Sequence, residues 1–264
     1  MFAFDAHNHL QAIKPMVRQG LGPHGLVTAV DPLALGKTLV KHNLGWASNA
    51  TNEDDWEPLE AMHQSFHGHM AVGFGIHPWW ADSAQPGWTA RLETLLRAHP
   101  AAFIGEAGLD GYRATRPSGI ALETQRQILA PQLSLAKELN RPIVLHCVKA
   151  WEHLSGYLRQ HGVQRFLIHR FRGTPEMALE IQKLGGMISV HIDSLCHQHS
   201  MDAIRRIPLT NLLVETDYDG PRAEALPIPE DLENTLEGLA RLIGVSSQTV
   251  REQSRENALR FFGC

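Results

Sequence analysis

Four histidines and two carboxylates in this chain each follow or close a short apolar run: His7 and His9 in Asp5-Ala6-His7-Asn8-His9, Glu106 after Ile104-Gly105, His146 after Val144-Leu145, His169 after Leu167-Ile168, and Asp217 after Glu215-Thr216. An imidazole or carboxylate at the end of a buried segment is expensive unless it is paired or coordinated, so the recurrence is informative. With no thiolate among them, the set suits Zn²⁺, Mn²⁺, Co²⁺ or Mg²⁺ with a position left open for water. Six donors exceed what one such ion needs, and two ions are expected. A carboxylate can bridge where an imidazole cannot, which makes Glu106 or Asp217 the natural link between ions about 3.5–4 Å apart. His-x-His alone is a weak motif, equally open to a reading as polar residues at a strand end; the other runs give it weight.

These positions must be brought together by the elements that carry them. Apolar runs recur at 2–6, 44–47, 70–76, 103–106, 142–147, 165–169, 187–192 and 212–215, and each reads as a buried strand. Between most of them lie helical patterns; over Glu123 to Leu139, Ile128, Leu129, Leu133, Ala136 and Leu139 share one face, and Asn140-Arg141-Pro142 ends the helix. Strand and helix alternating about eight times predict an α/β fold, a (β/α)₈ TIM barrel over residues 1–264 as a single domain, with the strand ends gathered at one mouth. The stretch from Gln11 to Asn43, rich in Gly and Pro, is expected to be a loop over that mouth, with further loops at Pro117-Ser118-Gly119 and from Pro221 to Pro229. Ser246 or Ser247 is expected to cap a helix running through Val250, Ala258, Leu259 and Phe262.

Composition narrows the class. The chain has 264 residues, 43% hydrophobic and 20% charged, with a formal net charge of −4, so it lacks the overall basic footprint of a duplex-binding module, and any nucleic acid would be gripped locally. Three cysteines, Cys147, Cys196 and Cys264, form no C-x-x-C pair; neither a disulfide framework nor a thiolate zinc site is indicated. Without a basic leader or an apolar stretch of spanning length, the expectation is a cytoplasmic protein with no membrane association and no obligate protein partner.

The ordered elements Asp5-Ala6-His7-Asn8-His9, Gly75-Ile76-His77-Pro78-Trp79, Gly105-Glu106-Ala107-Gly108-Leu109-Asp110, Leu145-His146-Cys147, Ile168-His169 and Glu215-Thr216-Asp217 resemble the TatD family of metal-dependent hydrolases, of the amidohydrolase superfamily, often described as deoxyribonucleases. Gln132-Leu133-Ser134-Leu135-Ala136 and Arg255-Glu256-Asn257-Ala258 extend the resemblance along nearly the whole chain. It implies that His7, His9 and Asp217 serve one ion and His146 and His169 a second, with Glu106 between them. It further implies that Asp217 acts on an ion-activated water as general base, and that His77 donates a hydrogen bond to a phosphoryl oxygen. His77 also reads as a turn residue ahead of Pro78.

The chain departs from the family pattern beside the site. Cys147-Val148-Lys149 replaces Cys-Arg-Asp, Arg170-Phe171-Arg172-Gly173 replaces Cys-Phe-Ser-Gly, and Tyr218-Asp219-Gly220 follows Asp217 in place of Ser-Pro. Arg113, Lys149 and Arg172 are either phosphate contacts or solvated loop charges. Glu215 either orients a metal ligand from behind or makes a plain buried hydrogen bond. Cys196-His197-Gln198-His199 reads as rim polarity, and Trp79, Trp80 and Trp88 either stack on bases or pack over the barrel. The leading expectation is a hydrolase for phosphodiesters, such as DNA or RNA ends; a lactone or amide hydrolase and a non-catalytic metal-binding barrel are the alternatives.

Overall fold

The computed structural model describes residues 3–12, 31–220 and 228–263. Eight parallel strands follow one another in sequence order: β1 Ala3–Asn8, β2 Leu44–Asn49, β3 Met70–Phe74, β4 Phe103–Asp110, β5 Ile143–Val148, β6 Phe166–Ile168, β7 Met187–Val190 and β8 Leu212–Val214. Helices return the chain between them: α1 Pro32–Lys41, α2 Trp56–Ser65, α3 Trp88–Ala98, α4 Gly111–Ala114, α5 Leu122–Glu138, α6 Trp151–His161, α7 Pro175–Lys183 and α8 Gln198–Ile204. After β8 come α9 Ile228–Ile243 and α10 Ser247–Phe262. This is the (β/α)₈ barrel that the alternation predicts, with α10 capped by Ser246, whose hydroxyl accepts from the Thr249 amide.

Two apolar layers hold it. Outside, strand and helix faces share one large core that includes Trp46, Phe74, Leu133 and Leu236. Inside, the strands contribute Phe4, Ala47, Ala71, Phe103, Val144, Leu167, Met187 and Leu213, and α10 closes this cluster from below with Ala258, Phe261 and Phe262. The Phe262 ring lies 4.8 Å from that of Phe103 and 5.7 Å from that of Phe4. The barrel therefore has a filled floor, and its polar chemistry is confined to the opposite, C-terminal mouth.

The seam between β1 and β8 is stitched by hydrogen bonds. Thr216 donates to Asp5 from its amide (2.9 Å) and its hydroxyl (2.7 Å), Asp217 donates its amide to His7 O (2.9 Å), and His9 donates to Tyr218 O (2.7 Å). Asp5 also accepts from the Asn8 side chain, whose Oδ1 accepts from Ser48 on β2. Asp5 thus turns its carboxylate to the seam, and β1 is irregular between Asp5 and Asn8.

Two loop expectations need correction. Within 11–43 the chain forms α1, started by Asp31, whose carboxylate accepts from the Leu33 amide, with Pro32 in the first turn where a missing N–H costs nothing. Residues 13–30 of that stretch lie outside the described residues. Pro229 likewise sits in the first turn of α9 rather than in a loop, while 221–227 lie outside the described residues. Among the described residues no helix is long and apolar enough to cross a membrane.

Asp5→Ala removes the acceptor for the Thr216 amide and the Asn8 side chain in a fully buried place. At about 1–3 kcal/mol per buried donor left unpaired, urea denaturation should show a loss of roughly 3 kcal/mol; an unchanged midpoint would contradict this account of the seam.

Candidate metal centre

The mouth holds a knot of side chains centred on Glu106. This carboxylate is 2% exposed, and its two oxygens face different groups. Oε2 lies 3.1 Å from His7 Nε2 and 3.3 Å from His9 Nε2, and these two nitrogens are 3.2 Å apart. Asp217 Oδ1 completes this group at 3.7 Å from His7 and 3.6 Å from His9. Oε1 lies 2.8 Å from His169 Nε2, 3.1 Å from His146 Nδ1 and 3.3 Å from His77 Nε2, with His146 and His169 3.3 Å apart. Donors around one ion at metal–nitrogen distances of 2.0–2.1 Å stand about 2.9–3.4 Å from one another. Imidazole nitrogens facing each other at that spacing, with carboxylate oxygens between, fit the geometry of ion coordination. All six donors expected from the sequence therefore meet around Glu106, and among the described residues they offer, with His77, three overlapping candidate groups: His7 with Glu106 and His169, His7 with His9 and Asp217, and His77 with Glu106 and His146.

Partners behind the rings decide which nitrogen each offers. His9 Nδ1 lies 2.8 Å from Asn49 O and carries a proton there, so that Nε2 is the atom that offers a lone pair to an ion once its own proton leaves. His146 Nε2 contacts Asp110 Oδ2 at 3.2 Å, leaving Nδ1 for the centre. His169 Nδ1 faces Glu215 Oε1 at 3.4 Å, and Glu215 in turn accepts from the Ser189 hydroxyl, so this carboxylate both stands behind a ligand and makes a buried hydrogen bond. His77 differs. Its Nδ1 accepts from the Trp79 amide (3.1 Å), which puts the ring proton on Nε2 and makes that atom a donor rather than a metal ligand. His77 is thus both things the sequence allowed: it caps the turn at Pro78–Trp80 and points into the site.

The charges are strongly coupled. Burial opposes ionisation of Glu106, but His169, His77 and His7 outweigh it and hold the carboxyl well below its usual range. Burial also disfavours a charged His9, yet Asp217 and Glu106 raise it to about 10; His169 and His146 are raised against the same penalty by Glu106 with Glu215 and Asp110 respectively. Burial lowers His77 to about 4, so it is neutral at pH 7.

Residues outside the expected set position this cluster. Asp110 accepts from Trp79 Nε1 (2.8 Å) and from the Arg113 amide (2.7 Å) while holding His146, and its carboxyl is brought down to about 2: burial is outweighed by the bonds to His146, Arg113 and Trp79. Two buried glutamines on α5 grip the loops of the mouth. Gln132 accepts from Ile76 N and donates to Ile76 O, next to His77, and Gln125 does the same for Asp110. The signal was a polar residue at i and i+7 within the apolar stripe of a helix. Gly108, at φ +137° with room for no Cβ (2.1 Å from His146 O), lets β4 approach β5 beside His146. Arg170 donates to Asp217 Oδ2 (2.7 Å) and to Asp193, tying the exits of β6, β7 and β8. Lys149, Arg170 and Asp217 all leave their strands at positive φ, near +48°, +44° and +48°.

Other positions lie apart. His197 and His199 sit on the rim against Arg172, as expected of rim polarity, and belong to none of the candidate metal groups among the described residues. Trp88 is buried at the start of α3, and its expected alternative role in stacking at the mouth is corrected; Trp79 and Trp80 are exposed.

In the metal-free protein His9 carries a proton at neutral pH, and Glu106 with Asp110 and Glu215 makes His146 and His169 hold theirs more tightly than a free imidazole, whereas an ion takes the free base. Loading with Zn²⁺ or Mn²⁺ should therefore release protons and weaken as pH falls, seen by calorimetry in buffers of different ionisation enthalpy; heats independent of the buffer would contradict it. Arg170→Gln should weaken ion binding roughly tenfold with Arg170→Lys retaining more, whereas equal affinity in all three proteins would remove Arg170 from any positioning role.

The chain has relatives among known proteins. The chain is 27% identical over 223 residues to "Deoxyribonuclease TATDN3" of Homo sapiens, covering 81% of each protein. It is 28% identical over 216 residues to the "Uncharacterized metal-dependent hydrolase YjjV" of Escherichia coli, covering 79% of this chain and 80% of that one. The crystal structure of that TatD homologue superposes with a TM-score of 0.81 at 22% identity, over 99% of this chain and 98% of the other, which confirms the fold. The model of the family described as TatD related DNase matches residues 4–263, and the chain belongs to that family.

Proposed function

We propose that this protein is a divalent-metal-dependent phosphodiesterase acting on DNA or RNA ends, and that His7, His9 and Asp217 hold one ion, His146 and His169 a second, with Glu106 shared. The observation that carries the reading is the division of Glu106, one oxygen set among His7 and His9 and the other among His146 and His169. When bound, such ions supply Lewis acidity at the phosphoryl oxygens and make water acidic enough to attack at neutral pH. Family membership and the names of its deoxyribonuclease relatives support the same class of bond.

The side chains then have distinct tasks. Asp217 has one oxygen held by Arg170, so Oδ1 is the atom that faces the ligand group and takes the proton of the attacking water. Because His77 is neutral with its proton on Nε2, it donates to a phosphoryl oxygen as negative charge grows there, moving from its resting partner Glu106. Glu106 stays ionised, since burial alone would protonate it but five imidazoles surround it. Its charge offsets that of the ions.

The test is a metal-reconstituted assay on bis(p-nitrophenyl) phosphate beside lactone and amide substrates. Phosphodiester hydrolysis that chelator abolishes, and that falls by at least roughly 10²-fold in Asp217→Asn and in Glu106→Gln, is the expected result. Turnover of lactones or amides alone would transfer the site to that chemistry, and an ion-free protein after reconstitution would make the barrel a non-catalytic one.

A further inference from the structure

Below the ligand atoms, the barrel interior carries polar groups that the chemistry at the mouth does not use. Side chains two residues apart on a strand share a face, so His169, Ser189 and Glu215 stand one layer above Leu167, Met187 and Leu213 of the inner apolar cluster. Glu215 is fully buried there, with Oε2 accepting from the Ser189 hydroxyl. Its other oxygen, Oε1, has no hydrogen-bond partner among the described residues, and neither has Nδ1 of His7 or Nδ1 of His169, although His169 Nδ1 approaches Oε1 to 3.4 Å. Buried polar atoms left in this condition cost free energy unless something pairs them.

The two rings form a pair. His7 lies face to face on His169, with ring centres 4.0 Å apart and planes 20° from parallel. Each turns Nε2 to a different oxygen of Glu106, His7 to Oε2 at 3.1 Å and His169 to Oε1 at 2.8 Å. An imidazole that gives Nε2 to an ion carries its proton on Nδ1, so ion binding creates two buried N–H donors on the stacked rings. The apolar floor of the barrel closes the route by which bulk water would reach them. A carboxylate oxygen has two lone pairs and can serve both. Burial opposes ionisation of Glu215, but its bond to His169 and the charges of His169 and His7 bring the carboxyl below its usual range, so it responds to both rings.

We infer that Glu215 is a positioning residue common to both ions, its Oε1 being the shared acceptor for the Nδ1–H of His169 and of His7 once ions hold their Nε2 atoms. This rests on the two-ion reading of the centre, in which His7 and His169 serve different ions. The carboxylate then does more than stand behind one ligand. An ion at either group orders Glu215, and Glu215 orders the ring that serves the other group, so the two sites fill cooperatively. Ser189 holds the far oxygen and fixes the direction in which Oε1 points.

The experiment titrates the full chain, stripped by chelator, with Mn²⁺ in a calorimeter. The wild-type protein should take two ions, the second at least as tightly as the first. Glu215→Gln should weaken both steps by roughly tenfold or more, whereas Asp110→Asn, whose partner among the cluster rings is His146, should weaken one. Proton spectra of the wild-type protein loaded with Zn²⁺ add a measurement that needs no variant. The ring N–H signals of His7 and His169 should be protected from solvent exchange, and each should show a nuclear Overhauser contact to the γ protons of Glu215. These contacts decide the case even if Glu215→Gln does not fold. A His7 N–H in contact with Asn49, whose Oδ1 is another buried acceptor without a partner, would overturn the shared role, as would a Glu215→Gln protein weakened at one step or at neither. One ion per wild-type chain would reject the two-ion reading, while the Overhauser contacts would still show whether Glu215 serves both rings.

Discussion

A carboxylate at 2% exposure, with five imidazoles within reach, is the constraint around which the mouth of this barrel is built. Removing Glu106 from water is tolerable only because imidazoles that carry charge or donate a proton surround it, arriving on β1, β5 and β6 and, as a neutral donor, on the turn after β3. No local segment could supply them. The closed, parallel barrel does so because it delivers the ends of all its strands to one small perimeter.

Much of this was written plainly in the chain. Strands buried on both sides are short continuous apolar runs, so the eight of them and the helices between were legible, and so were six donors that each follow such a run. What was hidden lies in contacts made across loops. Asp110, Arg170, Gln125 and Gln132 look like ordinary polar residues until the fold sets Gln132 against Ile76 or Arg170 against Asp217. The helix at Pro32–Lys41 was masked by the Gly and Pro residues before it, although Asp31-Pro32 is a proper start signal. His77 was ambiguous because a turn residue and a donor into the site have the same sequence signature, and here one ring is both.

The positioning scheme has a common form. Three members of the cluster have their second polar atom taken by something rigid: His9 by Asn49 O, His146 by Asp110, Asp217 by Arg170. Helix α5 adds a scaffold at one remove, since Gln125 and Gln132 hold backbone rather than side chains. Where the chain departs from its family's pattern, at Lys149, Arg170 and Arg172, it places cations at the rim. One of them, Arg170, bonds directly with the cluster.

The floor made by Phe261 and Phe262 against Phe4 and Phe103 bears on traffic. A barrel stoppered at one end offers a single doorway, so whatever enters over the rim must leave across it. A polymer cannot thread through the middle. On the proposed reading, a free terminus or a segment bent over the lip brings a backbone bond down to Glu106, and a released fragment clears the same opening.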